Sequence, residues 1–272
     1  MHHCFAPPAD WSESEIRLSD AEAHHLLRVL RLKPGDEVGV FDGCGRIARA
    51  RLELRVESGG ARRHSRERSQ VADIRLPGAT LTPIEVTHKP PPPVTVILIQ
   101  ALAKGARMDL IFEKATELGV SAVWPVMTER VVAEMKSDRA GQRAARWRRI
   151  VLSAAKQCGA YRLPDVDPVQ SLEDALNRRE AFDVLFYGSL ESGAEPFRAA
   201  IEKARALKPA RIGVVIGPEG DLTAEEYGHI RRAGGVGVSF GELVLRVETA
   251  ALYALSVLAC EFTAAGEGPP AR

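Results

Sequence analysis

Two short runs hold residue types suited to binding a small ligand and acting on it. The first is Gly217-Pro218-Glu219-Gly220-Asp221, which closes the apolar run 212–216 and leads into a segment opened by Thr223. Glycines at the carboxyl end of a strand let backbone approach a ligand closely. A tight strand-to-helix turn with unusual φ/ψ asks for the same residues. No Gly-Lys-Ser/Thr follows, and the three-glycine dinucleotide spacing is missing, so nucleotide hydrolysis and nicotinamide binding both lose ground. The second run, 241–250, brings Arg246, Glu248 and Thr249 to the start of a helix, where the dipole and unpaired N–H groups suit anions and caps. Taken singly, Glu248 is a dipole partner and Arg246 a solvated charge. Taken together, both loops follow consecutive strands at one edge of a parallel sheet, where ligands of α/β proteins collect.

Charged residues gather at two further places. Gln100, Lys104, Arg107, Asp109, Glu113, Lys114 and Glu117 surround a strand-to-helix step. Like charges four residues apart there need basic groups to answer them, and Lys114 is one. Residues 136–162 carry Lys136, Arg139, Arg143, Arg146, Arg148, Arg149, Lys156 and Arg162 against the single acid Asp138. Trp147, Ile150, Val151 and Ala154 supply the packing face, so the opposite side of this helix is a positive surface suited to a polyanion. His2, His3 and Cys4, and the pair His24 and His25, lack metal-ligand spacing, and Cys4, Cys44, Cys158 and Cys260 are too scattered for a zinc site or a disulfide framework. No metal is expected.

The elements that must position these residues fall into two styles. Before residue 90 the chain reads as β-rich. Ser19 or Asp20 caps a helix whose Leu26, Leu27, Val29 and Leu30 face inward, and strands over 37–41 and 47–56 flank the hairpin turn Asp42-Gly43-Cys44-Gly45. Lys89 and the prolines 90–93 mark the junction. From residue 94, strands over 95–102, 122–126, 182–187, 211–216 and 236–240 alternate with helices over 107–118, 138–157, 172–179, 196–206, 223–232 and 248–263. That rhythm predicts an α/β domain with a mostly parallel sheet. Ser171 with Asp174, and Thr223 with Glu226, have capping-box spacing.

A chain of 272 residues, 45% hydrophobic and 27% charged, is ordinary for a folded protein. Its formal net charge of +1 gives no global sign of a nucleic-acid or membrane partner. The apolar run 250–260 is shorter than the ~18 residues a membrane span needs, which makes the cytoplasm the expected compartment.

Together the segments resemble the bacterial 16S ribosomal RNA uridine-N3 methyltransferases of the SPOUT (trefoil-knot) superfamily, along nearly the whole chain. The resemblance rests on His25-Leu26-Leu27-Arg28-Val29-Leu30-Arg31 with Pro34-Gly35-Asp36, on Phe41-Asp42-Gly43, and on Gln100 to Lys104 with the run 113–120. Gln157-Cys158-Gly159 with Arg162 and Pro164, the run 216–220, and Leu245-Arg246 with Glu248-Thr249-Ala250 complete it. The pattern departs at Lys156 and Ala160, where the family commonly has an acid and an arginine, and at 57–93, which is longer than usual.

The resemblance implies a small PUA-like β-barrel RNA-binding domain over 1–90 and a SPOUT α/β knot domain over 94–272, working as a homodimer. It implies S-adenosyl-L-methionine as cofactor, held by Tyr187, Gly188, Gly217, Pro218, Glu219, Gly220, Gly241, Leu243 and Leu245. Arg246 and Glu248 are the implied catalytic pair, with Glu248 orienting Arg246 or relaying a proton. Arg28, Arg31, Lys104, Arg143, Arg146, Arg149 and Arg162 are the implied contacts to 16S rRNA within the 30S subunit. Two alternatives stand beside this reading: a noncatalytic RNA-binding or ribosome-assembly protein with the same fold, and a knotted methyltransferase acting on tRNA. The charge balance then reads differently. Windows 46–75 and 136–162 carry +5 and +7 within a chain of +1, so near-neutrality averages two basic windows and an acidic remainder.

Overall fold

The computed structural model describes residues 2–54, 78–132, 140–178 and 182–263. The chain divides into two compact units, Met1–Pro90 and Pro91–Ala271.

The first unit is a five-stranded sheet built from β1 (His3–Phe5), β2 (Ile16–Arg17), β3 (Glu37–Phe41), β4 (Arg46–Leu54) and β5 (Ala79–His88), in the order β1-β3-β4-β5-β2. β1 runs parallel to β3, and the other pairs are antiparallel. Alternation along β4 sends Ala48, Ala50 and Leu52 into a core with Cys4, Ile16, Val38 and Leu81, and turns Arg49, Arg51 and Glu53 outward. The hairpin expected at 42–45 forms. Asp42 accepts from the N–H groups of Cys44 and Arg46, at 2.7 and 3.0 Å, while Gly43 and Gly45 take positive φ. Strand β5 lies in the long 57–93 segment, where no element was anticipated. Pro83 sits there beside a register shift, so Ile84 is the extra residue of a bulge. Residues 55–77, which include the first part of that segment and part of the 46–75 basic window, lie outside the described residues.

Ser19 caps α1 (Asp20–His24) by accepting from the Glu22 N–H at 3.3 Å. The chain then widens into one π-type turn, His25–Val29. The expected inward face therefore changes register. Leu26 is buried, Leu27 and Leu30 are half-buried, and Val29 is 58% exposed, which corrects its placement in the core.

The second unit contains, in chain order, β6 (Thr95–Ala101), α2 (Arg107–Glu117), β7 (Ala122–Met127), α3 (Glu129–Val132), α4 (Ala140–Cys158), β8 (Asp165–Val166), β9 (Gln170–Ser171) and α5 (Leu172–Asn177). These are followed by β10 (Val184–Gly188), β11 (Glu195–Pro196), α6 (Phe197–Leu207), β12 (Arg211–Ile216), α7 (Ala224–Arg232), β13 (Gly235–Ser239) and α8 (Val247–Leu258). The sheet order is β11-β13-β10-β12-β6-β7-β8, with β9 also on β7, and every pairing is parallel. Parallel strands need covered faces. On one face, Phe112 of α2, Trp147 of α4, Phe197 of α6 and Leu255 of α8 pack on Leu98, Phe186, Ile212 and Val214. On the other, Leu176 of α5 and Tyr227 of α7 pack on Ile99, Leu185, Tyr187 and Val215.

Thr223 and Glu226 close a full capping box at α7. Ser171 caps α5, but its hydroxyl bonds the Asp174 carboxylate, so the shorter acid does not reach back to the cap backbone. Lys114 answers Glu113 and Glu117 at 2.8 Å each. The basic residues Lys136 and Arg139 lie outside the described residues. Among the described residues, no helix is long and apolar enough to cross a membrane.

Candidate active site

The loops that follow β10, β12 and β13 converge on one cavity of about 430 Å³, a volume within the usual range for small-ligand sites. Its walls come from Gly188, Ser189 and Leu190 after β10, from 216–219 and Asp221 after β12, and from 239–241 and 243–248 after β13. Strand order explains the convergence. β12 and β13 are consecutive in sequence but lie on opposite sides of β10, so the two glycine-bearing loops flank a third strand end.

Of the residues anticipated for the cofactor, Gly188, Gly217, Pro218, Glu219, Gly241, Leu243 and Leu245 line this cavity. Tyr187 does not. Alternation along β10 turns it to the opposite face of the sheet, where it is 3% exposed and packs on Tyr227 with ring centroids 5.6 Å apart. Gly220 also lies outside, lining an adjoining cleft.

Arg246 is the N-cap residue of α8, with extended backbone, and Glu248 lies in the first turn. Both line the cavity. No hydrogen bond or ion pair joins the Glu248 carboxylate to Arg246 among the described residues. Oε2 of Glu248 lies 3.5 Å from Nε of Arg107, and that buried oxygen has no hydrogen-bond donor among the described residues. Arg107 also donates through a terminal nitrogen to Oε1 of Glu219 at 2.5 Å, and the same oxygen accepts from the Lys104 backbone N–H at 3.0 Å. Burial pushes the Glu219 carboxyl up, but the Lys104 and Glu219 N–H groups and the Arg107 guanidinium outweigh it, so the group sits below the ordinary carboxylate value. One guanidinium thus fixes acids from both glycine-bearing loops.

Sequence reasoning placed Arg107 in a charged cluster but not in the site, and it missed Ser189, Leu190, Asp221 and Phe240. Asp221 was legible as the last member of its glycine-rich run. Its φ of +64° is a left-handed conformation that non-glycine residues seldom adopt. Tyr227, buried on α7, donates to Oδ1 of Asp221 at 2.6 Å.

The basic residues disperse. Lys104, Arg143 and Arg146 line the adjoining cleft, and Arg146 pairs with Asp109. Arg149 is exposed on α4, and its Nε donates to the carbonyl of Ala145 at 3.4 Å. Arg162 is half-buried, and Arg28 and Arg31 are exposed in the first unit, Arg31 with φ +56°.

Residues 90–259 match the family model for an RNA methyltransferase domain, and residues 18–54 match that for an RNA methyltransferase PUA domain. The ribosomal RNA small subunit methyltransferase E of Mycobacterium bovis is 33% identical over 237 residues, covering 87% of this chain and 83% of that one. Its counterpart in Bacillus subtilis is 29% identical, covering 89% and 88%. The crystal structure of the enzyme of that name from Neisseria gonorrhoeae, bound to S-adenosyl methionine, superposes with a TM-score of 0.75 at 28% identity, covering 96% of this chain and 97% of that one. The SPOUT-type α/β fold preceded by a PUA-like domain agrees with these matches. Three strand ends around one cavity, and a family match spanning the sheet that builds it, lead to one assignment: this chain belongs to the RNA methyltransferase family.

Proposed function

We propose that this chain transfers the methyl group of S-adenosylmethionine to N3 of a uridine in 16S rRNA of the 30S subunit, in the cytoplasm and as a homodimer. Residues 1–90 serve as the RNA-binding domain in this reading, and 94–272 as the methyltransferase domain. The observation that carries it is the cavity at the ends of β10, β12 and β13. Its residues suit the cofactor. Gly188 leaves room that a Cβ would take, since that atom would come within 3.0 Å of the Phe240 ring. The buried Glu248 Oε2 still has an acceptor site to offer a donor.

S-adenosylmethionine, when bound, supplies a sulfonium-activated methyl group as electrophile. Backbone of 217–219 and 241–245 would hold it at the strand ends. The imide N3 of uridine is a poor nucleophile while protonated, so the protein must favour its anion and align it with the methyl group. Arg246 supports this step by placing its guanidinium beside O2 or O4, where charge develops on deprotonation. Glu248, fixed by Arg107, is an acceptor for the N3 proton. Arg28, Arg31, Lys104, Arg143, Arg146, Arg149 and Arg162 provide cations for the phosphate backbone.

Calorimetric titration with S-adenosylmethionine, followed by labelled-cofactor incubation with 30S subunits or tRNA and mapping of the label, tests the proposal. Binding and a single N3-methyluridine in 16S rRNA are expected. Absence of cofactor binding favours the noncatalytic alternative, and label in tRNA favours the other.

A further inference from the structure

Alternation in β13, Gly235-Val236-Gly237-Val238, puts both of its glycines on one face of the sheet. Gly237 pairs directly with Tyr187 of β10, whose ring lies over both glycines. A Cβ on Gly237 would come within 2.8 Å of the Tyr187 hydroxyl oxygen, and one on Gly235 within 3.2 Å of its ring. β13 is therefore bare where a buried ring must cross it. Beyond it the hydroxyl faces the guanidinium of Arg231 on α7, and Nη1 of Arg231 donates to Oε2 of Glu191 at 2.6 Å. Tyr187, Arg231 and Glu191 thus join β10, α7 and the loop that follows β10. None of these side chains has a part in the reaction outlined above.

Leu190 shows what this connection holds. It lines the cofactor cavity yet is 61% exposed, so its own packing does little to fix it and its neighbours must. On one side, the Ser189 N–H donates to the Val238 carbonyl at 2.9 Å, and the Tyr227 hydroxyl faces Ser189 and the Leu190 N–H. On the other, the Glu191 N–H donates to the Ser189 hydroxyl at 3.1 Å, and the Ala194 N–H to the Glu191 carbonyl at 3.1 Å. Both of those bonds are internal to the loop and move with it. The Glu191 carboxylate reaches out of the loop, and Arg231 receives it.

The geometry points to Arg231 as a positioning residue for the cofactor cavity: steadied by the Tyr187 hydroxyl, it fixes Glu191 and, through it, the Ser189–Leu190 wall. The identity of the cofactor rests on the proposed methyl transfer, whereas the restraint on the wall stands on these contacts. The ion pair is half-exposed, so its effect is modest and falls with salt. The wall meets the cofactor before and during transfer alike, so the effect belongs in KM rather than kcat.

The test compares the full-length wild type with Arg231→Glu, Glu191→Arg, the Arg231→Glu/Glu191→Arg double variant and Tyr187→Phe. Hydrogen–deuterium exchange over 188–194 is read without cofactor, S-adenosylmethionine affinity by calorimetry, and kcat and cofactor KM by label transfer to 30S subunits. Each single charge reversal should speed exchange in the loop and weaken the cofactor by about three- to tenfold, with kcat unchanged. The reversed pair should recover wild-type affinity to within about twofold, because the Tyr187 hydroxyl can donate to a carboxylate as well as accept from a guanidinium. Tyr187→Phe keeps the ring but frees Arg231, and should weaken the cofactor by about twofold. In about 1 M salt, where the Debye length is about 3 Å, the gap between wild type and single variants should shrink.

Single variants that bind the cofactor as the wild type does overturn the inference, and so does a reversed pair as weak as the singles, or a loss in kcat with KM unchanged. If Arg231→Glu loses its circular dichroism, Arg231→Gln carries the same test, with a loss of about threefold expected. Failure of the wild type to bind S-adenosylmethionine counts against methyl transfer instead. The exchange comparison then decides: equal exchange over 188–194 in wild type and variants overturns the positioning role whatever the ligand.

Discussion

Tyr227 ties together two walls of the cavity at the ends of β10, β12 and β13, and removing its hydroxyl should loosen both. The ring is 3% exposed on α7. Its hydroxyl donates to Asp221 at 2.6 Å, and the Leu190 N–H and Ser189 hydroxyl face the same oxygen. Ser189 and Leu190 follow β10, Asp221 follows β12, and all three line the cavity. A hydrogen bond to a charged group contributes about 1.5–3 kcal/mol. Asp221 is only half-buried and regains water in Tyr227→Phe, so a net loss of about 1.5–2 kcal/mol is expected. For a unit of this size that lowers Tm by about 3–8 °C. Walls that must be ordered on binding also weaken S-adenosylmethionine by up to about tenfold. Asp221→Gly relieves the left-handed backbone, worth about 1 kcal/mol, but strands a buried hydroxyl at about 1–3 kcal/mol. In the Tyr227→Phe background that second cost vanishes, so the glycine becomes neutral or stabilising and the double-mutant cycle is non-additive. Thermal unfolding and cofactor calorimetry on the four proteins measure it. An unchanged Tm and cofactor affinity in Tyr227→Phe, or an additive cycle, would refute the reasoning. Burial first, and then Asp221, raise the Tyr227 pKa above the ordinary tyrosine value. The folded value thus exceeds the unfolded one: this contribution is complete below pH ~10 and is lost as pH rises through the folded value, and Tyr227→Phe should remove that alkaline loss.

Glu219 has the opposite sign. Its folded value lies below the unfolded one, so its stabilisation is present above the ordinary carboxylate range and disappears as pH falls through the folded value; Glu219→Gln should flatten the acid limb of a stability–pH profile. Gly188→Ala places a Cβ 3.0 Å from the Phe240 ring, which is itself wedged against Phe197 and Tyr253. Destabilisation of about 1–2 kcal/mol and weaker cofactor binding by calorimetry are expected. Arg246→Ala should lower kcat far more than it weakens the cofactor, and equal losses would move Arg246 from the chemistry to cofactor binding. Replacing Arg143, Arg146 and Arg149 by Ala should flatten the salt dependence of RNA binding by about 3 units of slope or less, with cofactor affinity retained; an unchanged slope would show that this helix does not meet phosphate.

The long elements of the second unit were legible because each is an apolar run or a 3.6-residue pattern bounded by a glycine, a proline or a cap; β12 is found at the expected 211–216. Strand β5 was not, because Pro83 and an outward-facing second half obscure alternation, and its place is set by a nine-residue partner, β4, far earlier in the chain. The two-residue strands β8, β9 and β11 carry no local pattern and exist only where a neighbouring strand offers free backbone groups. The site divides along the same line. Glycine-rich loops at strand ends are local, so about half of the residues lining the cavity could be named from sequence. Which face Tyr187 takes depends on its parity with Phe186, which packs on Phe197 on the opposite side. That parity is fixed only once both layers of helices are in place. Arg107 shows why the remaining connections stayed hidden. It meets Glu219 across 112 positions and Glu248 from a different loop, and such a bridge has no spacing to read. A parallel sheet brings its carboxyl ends together whatever the order of its strands. The order alone decides that loops on either side of β10 share a wall with α2, and hence that one arginine restrains both Glu219 and Glu248.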